Sequence, residues 1–510
     1  MTARTLMVQG TGSSVGKSLL VTALCRIFKQ DGYRVAPFKA QNMSLNSYVT
    51  SDGAEVGRAQ AVQADAAETP VMAEMNPVLL KPEVDYRSQL VVMGRPMGTL
   101  DSSDFGRRKE ALWEVVAGSL DRLRSEFDVV VIEGAGSPAE INLRRGDIVN
   151  MEVALYAGAP VLLVGDIDKG GVFASLYGTV ELVAPEERAL IKGMVINKFR
   201  GDVSLLQPGL VQIRELTGVP VLGVVPYFRD IYIPEEDSPA MRPTDLDPDA
   251  LIDVAVIALP HISNFDDFDP LGREAGIGLR YVRSPGDMGE PDMVVLPGTK
   301  TTASDLKHLR ETGMADALLG AAAKGAAVVG VCGGYQMLGR AILDPLGIES
   351  SENEVRGLGL LPVVTRFSAE KQTHRVSGTV EADYGLLEGA CGLPLSGYEI
   401  HMGTTVLEAS PGLGAPAVPF RVSSRSEASV DSIDGSLSSD GWIMGTYVHG
   451  LFHSPELRRS MLRRLAARKG RTLSLDGDAF SQSREFDKLA DLVRESIDMD
   501  AVRLITGLAD

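Results

Sequence analysis

Leu6-Met7-Val8-Gln9-Gly10-Thr11-Gly12-Ser13-Ser14-Val15-Gly16-Lys17-Ser18 is the stretch whose reading decides the fold. A short apolar run ends in a Gly/Ser-rich turn. The turn leads into a segment in which Leu20, Leu24, Ile27 and Phe28 recur at helical spacing until Asp31-Gly32 closes it. Strand, glycine-rich turn and helix together make a phosphate cradle, in which backbone N–H groups and the helix amino terminus face the anion. Lys17 then reaches the outer phosphates and Ser18 can ligate Mg2+, with Thr11, Gly12 and Gly16 completing the nucleotide-contacting loop. The general spacing is not fully kept, because the position six before Lys17 is Thr11 and the extra glycine is Gly10.

Working outward, further β-branched runs follow at Arg34 to Phe38, Asp128 to Ile132, Pro160 to Val164, Gly193 to Ile196 and Pro220 to Val225. Helical patterns separate them, so residues 1–232 read as βαβ units in a parallel sheet covered on both faces. Glu133 ends one of these runs beside the crevice where such sheets bind ligands, a place for a second Mg2+-holding oxygen. Asp166 and Asp168 end the next run and are weaker candidates for the same work. Asn197, at the end of the one after, is a candidate for reading the nucleotide base, although Asn there is equally a turn former.

Pro234 to Pro248 holds four prolines and five acids, so 233–250 reads as a linker. A second α/β domain is expected over 251–460, from the runs Leu251 to Leu259, Leu279 to Val282, Met293 to Leu296 and Val328 to Val331, with more antiparallel character later. Ser423 to Ser439 contains eight serines and reads as a mobile surface loop. Residues 461–510 read as a helical extension, in which Phe486, Leu489, Leu492, Val493 and Ile497 recur at helical spacing.

The chain has 510 residues and a net charge of -18, which argues against nucleic acid or an anionic membrane surface as the main partner. An acidic small molecule needs only a local basic pocket, for which Arg58, Arg144, Lys198 and Arg200 are available. The amino terminus lacks the apolar length of a signal peptide, and no run approaches the ~20 residues of a membrane span. Three cysteines, Cys25, Cys332 and Cys391, suit a reducing cytoplasm without a disulfide framework.

One of them sits in a chemically informative place. Ala326 to Val331 runs straight into Cys332-Gly333-Gly334-Tyr335-Gln336, and Gly330-x-Cys332-x-Gly334 is the cysteine version of a nucleophile elbow. Small flanking residues permit the tight turn, and a helix amino terminus favours the thiolate. Its base must come from His261, His308, His374, His401, His449 or His453. His449 is best placed, in Gly445-Thr446-Tyr447-Val448-His449-Gly450 at the end of a late strand. His401 is ambiguous, and His308 and His453 read as surface residues. Backbone N–H groups of Leu296-Pro297-Gly298-Thr299 offer half of an oxyanion hole.

Gly10-Thr11-Gly12-x-x-Val15-Gly16-Lys17-Ser18 resembles the loop of the dethiobiotin synthetases, and the Cys332 and His449 segments resemble class I glutamine amidotransferases. That glutaminase family usually has a glutamate two residues after the histidine. Leu451 stands there, a departure shared with the cobyrinic and cobyric acid synthase family, whose members work with a Cys-His pair. Long stretches resemble that family along nearly the whole chain, among them Lys39 to Ser47, Gly57 to Ala61, Met75 to Pro82, Glu133 to Arg144, Asp166 to Phe173 and Ile196 to Asp202. The resemblance implies a P-loop synthetase domain followed by a class I glutaminase domain, with ATP and Mg2+ as cofactors and glutamine and corrinoid carboxylates as substrates. Cys332 and His449 would release ammonia. The b, d, e and g carboxylates of (adenosyl)cobyrinic acid a,c-diamide would be activated at Lys17, and Lys39 would steady a phosphate or carboxylate as in the dethiobiotin synthetases. The alternatives are amidation of the a and c carboxylates by the sister enzyme of the family and, more distantly, a positioning-type P-loop ATPase. The latter class carries an extra lysine early in its loop and no cysteine elbow.

Overall fold

Runs of Val, Ile and Leu without polar alternation can be satisfied only by strands covered on both faces. The computed structural model, which describes residues 2–82, 87–101, 105–144, 147–234, 249–408, 417–475 and 480–508, contains two sets of them. The chain divides into a first unit of Met1–Ser44, Glu55–Glu236 and Ser481–Asp510 and a second unit of Leu45–Ala54 and Asp237–Phe480. Residues 235–248 of the expected linker lie outside the described residues.

In the first unit, β1 (Arg4–Gly10), β2 (Val35–Phe38), β3 (Val129–Glu133), β4 (Val161–Asp166), β5 (Ile191–Phe199) and β6 (Val221–Pro226) form one sheet in the order β6-β5-β4-β1-β3-β2. Every pairing in it is parallel. Strand order reverses on either side of β1, so the crevice at the carboxyl ends opens where the glycine-rich turn leaves that strand. The helix Lys17–Gln30 follows and buries Leu20, Leu24, Ile27 and Phe28, the stripe expected from their spacing. A smaller sheet, formed by Gln41–Met43, Val78–Pro82, Arg87–Val92 and Arg95–Asp101, was not signalled, because its short strands mix polar and apolar residues without clear alternation.

In the second unit, β7 (Ile252–Ile257), β8 (Ile277–Val282), β9 (Met293–Leu296), β10 (Ala327–Val331), β11 (Ser436–Leu437) and β12 (Ile443–Thr446) are ordered β8-β7-β9-β10-β12-β11. Only the β11–β12 pair is antiparallel. A separate sheet is built on the long antiparallel pair Val363–Val380 and Pro394–Leu407.

Two expectations are corrected. The serine-rich stretch is not a free loop: Phe420–Arg425 and Ala428–Asp434 are antiparallel strands, and Phe420, Val422 and Asp434 point inward while serines occupy exposed or half-buried positions. Serine content hid a period-two pattern. Nor is 461–510 a single extension. The helix Pro455–Arg468 runs across the expected boundary, buries Leu457, Met461, Leu462 and Leu465, and belongs to the second unit. The helix Gln482–Ser496 buries Phe486, Leu489 and Val493 within the first unit, where Ile497 pairs with Gly223 as an isolated bridge.

Candidate functional site

At the first crevice, sheet register does the positioning. Phe38 is opposite Ile132, and Val8 is opposite Glu133, so Lys39 and Glu133 emerge from neighbouring strands beside the turn that follows β1. Lys39 Nζ lies 3.0 Å from Glu133 Oε1, Ser18 Oγ donates to the same oxygen at 2.8 Å, and Gln63 Nε2 donates to Oε2 at 2.5 Å. Glu133 is 1% exposed, and burial, the largest influence, works against its charge. The Lys39 ammonium, followed by the Gln63 and Ser18 donors, more than offsets that cost and holds the carboxyl below the usual carboxylate range. An unpartnered buried carboxylate would instead take up a proton.

Lys17 Nζ donates to the Gly12 carbonyl at 2.9 Å and the Gly136 carbonyl at 3.1 Å. Gly16 has a φ of 99°, and a Cβ on it would meet Asn197 Nδ2 at 2.1 Å, so only glycine fits. Asn197 donates to the Val15 carbonyl at 2.9 Å and accepts from the Lys198 N–H at 2.8 Å. Asn197, expected to read the base, is thus tied to the loop's backbone at Val15. Asp166 is paired with Lys198 and Asp168 with Arg200. Arg144 is bound to Glu187.

In the second unit, β10 ends at Val331, opposite Thr446 of β12, and Cys332 N–H donates to the Thr446 carbonyl at 2.8 Å. This register brings the elbow and the segment leading to His449 together. Cys332 has a φ of 53°, a strained conformation for a side chain that must be lifted from its turn. Gly334 permits it: a Cβ there would lie 1.9 Å from the Leu296 carbonyl oxygen. The Pro297–Thr299 segment lies beside the elbow and His449, for a Cβ on Gly333 would lie 3.2 Å from Thr299 N and one on Gly298 would lie 3.0 Å from His449 Cε1.

His449 Nδ1 is 2.6 Å from Asp267 Oδ2, while Gly450 N–H donates to Asp267 Oδ1 at 2.9 Å. An acid therefore does orient the imidazole, contrary to the bare Cys-His pair implied by Leu451. Burial of His449 opposes its charge most strongly, but the Asp267 carboxylate and the Cys332 sulfur outweigh it, and the pKa is pushed up to about 10. Cys332 Sγ lies 3.3 Å from the Ile400 carbonyl oxygen. His401 is stacked on Tyr447 at 3.7 Å, with Nδ1 3.1 Å from the Gly403 carbonyl; His308 and His453 are exposed. Gln336 is buried, with Nε2 donating to the Met402 carbonyl and the Tyr447 hydroxyl and Oε1 accepting from Thr302.

Residues 6–240 match the CobQ/CobB/MinD/ParA nucleotide binding domain and residues 253–457 the CobB/CobQ-like glutamine amidotransferase domain. Over 510 residues and 99% of each chain, this protein is 49% identical to the cobyric acid synthase of Dehalococcoides mccartyi strain CBDB1. This chain belongs to the cobyric acid synthase family. The family member of Sorangium cellulosum is 50% identical over 525 residues, covering 100% of this chain and 99% of that one. That of Yersinia enterocolitica is 48% identical over 505 residues, covering 98% and 97%.

Within this cobyric acid synthase family chain, two site residues escaped sequence reasoning. Asp267 lies 182 residues from His449, on a 3-10 turn (Phe265–Phe268) with no motif of its own. Gln63 lies on the helix Arg58–Ala66, whose buried Gln60 and Gln63 are the one signal that could have marked it, since two glutamines one turn apart on a covered face need a polar partner.

Proposed function

We propose that this protein amidates the b, d, e and g peripheral carboxylates of (adenosyl)cobyrinic acid a,c-diamide at the expense of ATP and glutamine, yielding cobyric acid in cobalamin biosynthesis. The observation that carries this is likeness at 48–50% identity along essentially the whole chain to cobyric acid synthases, including both functional segments. The three cysteines are free, in keeping with a cytoplasmic setting, and no described helix is long and apolar enough to cross a membrane.

Ammonia is made at Cys332. With its pKa pushed up to about 10, His449 is an imidazolium at neutral pH and faces the sulfur of Cys332, the nucleophile. The thiolate attacks the glutamine side-chain carbonyl, and the backbone N–H groups of Gly298 and Thr299 and of the start of the Gly333–Leu338 helix offset the oxyanion. Asp267 engages Nδ1, which leaves Nε2 to give its proton to departing ammonia and then to take one from the water that opens the thioester.

Activation of the acceptor belongs to the first crevice. Lys17, the Gly12–Gly16 backbone and Lys39 neutralise the transferring phosphoryl group, and the acceptor carboxylate becomes an acyl phosphate open to ammonia. Mg2+ fits here: Ser18 Oγ and the ionised Glu133 carboxylate share one point, and the Gln63 Oε1 beside them is a buried oxygen with no hydrogen-bond donor among the described residues. When bound, the ion would draw negative charge from the phosphate oxygens. Asn197 keeps the loop in its phosphate-ready shape.

The test is to supply cobyrinic acid a,c-diamide, ATP, Mg2+ and glutamine to the purified protein and follow product mass. Four successive amidations are expected. Amidation of cobyrinic acid but not of its a,c-diamide would assign the protein to the sister reaction.

A further inference from the structure

Residues 45–54 lie in the synthetase half of the sequence, within the matched stretch 6–240, yet they belong to the unit that contains Cys332. Their contacts there converge on His449 from two sides. On one, Asn46 Oδ1 accepts from Asn264 N–H at 2.6 Å, and Asn264 Oδ1 accepts from Ser47 N–H at 2.9 Å, a reciprocal clasp between two buried asparagines. Asn264 has a φ of 52° and is the residue from which the Phe265–Phe268 turn starts, so the clasp fixes the bend that delivers Asp267 to His449 Nδ1. Asparagine tolerates that left-handed conformation better than most residues, but tolerance does not select it; the clasp does.

On the other side, the Tyr48 ring lies 5.8 Å from that of Tyr398, which is stacked on His449 at 5.2 Å and an interplanar angle of 13°. Tyr398 also exchanges backbone hydrogen bonds with His449, and Arg375 Nη1 donates to the Tyr48 hydroxyl at 2.5 Å. The loop is closed on itself, with Thr50 N–H donating to the Ala54 carbonyl at 2.9 Å and Ala54 N–H to Thr50 Oγ1 at 2.8 Å. It is thus a preformed piece rather than a passing strand.

We infer that the loop Leu45–Ala54 is a positioning element of the glutaminase, with Asn46 setting Asp267 through Asn264 and Tyr48 backing Tyr398 against the His449 ring. The inference rests on Cys332 and His449 being a glutaminase. Asn46 lies seven residues after Lys39 in the chain.

The experiment compares wild type, Asn46→Ala and Asn46→Asp for glutamate release from glutamine and for corrinoid amidation driven by ammonium. Asn46→Ala should lower kcat for glutamate release by about tenfold to a hundredfold, the scale of a small misplacement of a catalytic group, with KM for glutamine little changed. Ammonium-driven amidation should persist. Asn46→Asp keeps the oxygen that accepts from Asn264 and should recover most of the loss. Glutamate release at the wild-type level in Asn46→Ala would overturn the inference, and so would equal loss with both nitrogen sources or no recovery with aspartate. A wild-type protein that releases no glutamate would instead remove the glutaminase reading beneath it.

Discussion

The two crevices solve opposite electrostatic problems. The first is organised around a buried anion, Glu133, held ionised by one ammonium and two neutral donors. The second is organised around a buried cation, His449, held protonated by one carboxylate and a nearby sulfur. In both, burial is the largest single influence and acts against the charge, so the charged state survives only because its partners are already in place. An anion against Ser18 and a lysine-lined loop suits a metal and phosphate; a cation against the nucleophilic sulfur suits proton delivery to a poor leaving group. Each set of partners lies within its own unit, so damage to one should leave the other working.

The sharpest way to break this comparison is a reciprocal pair of substitutions. Cys332→Ala should lower glutamine-driven amidation by at least about 10^4-fold, as loss of a nucleophile does, while ammonium still supports turnover. Lys17→Ala should lower amidation by about 10^2- to 10^3-fold with either nitrogen source and spare glutamate release. Parallel assays of corrinoid mass and glutamate decide the matter, and loss of both activities in either variant would show that the sites are not separable.

Asp267→Asn probes the cation directly. His449 has a folded pKa of about 10 against an ordinary 6.5, so its charge-linked stability is fully present below pH 6.5 and is lost as pH rises through 10. Removing the carboxylate lowers that pKa. The alkaline limb of glutamate release should therefore move to lower pH, with about a 10^2-fold fall in kcat at neutral pH. An unmoved alkaline limb would mean that Asp267 does not set the charge of the ring. Glu133 behaves in the opposite sense: its lowered pKa contributes stability above the ordinary 4.5, which is lost as pH falls through the folded value.

The contrast also explains which parts were legible. The phosphate loop is local, with anion cradle, lysine and hydroxyl inside nine consecutive residues, so one strand-turn-helix pattern exposes it. All six strands of that sheet correspond to apolar runs, because strands covered on both faces must be apolar throughout. The Cys332 elbow is local for the same reason. Asp267 is not: it reaches His449 from 182 residues away, and the position where a relative would carry its acid is occupied by buried Leu451. The Ser423–Ser439 strands were hidden because serine signals loops by composition, whereas their alternating burial appears only once a partner strand is known.

The smallest effect tests the weakest-marked member of the anion site. Gln63 is fully buried, one end of its amide donates to Glu133 Oε2, and the other end is an oxygen with no donor among the described residues. If its work were only to hold Glu133, replacing it with leucine would free a carboxylate oxygen, and metal would bind as well as before or more tightly. If its oxygen instead faces the hydrated ion, leucine removes one of that ion's partners. We expect the second outcome. Gln63→Leu should weaken Mn2+ binding, read by electron paramagnetic resonance in the presence of a non-hydrolysable nucleotide, by about tenfold. Gln63→Glu, which restores an oxygen, should bind Mn2+ more tightly than the leucine variant. Unchanged affinity in Gln63→Leu would confine Gln63 to bracing Glu133.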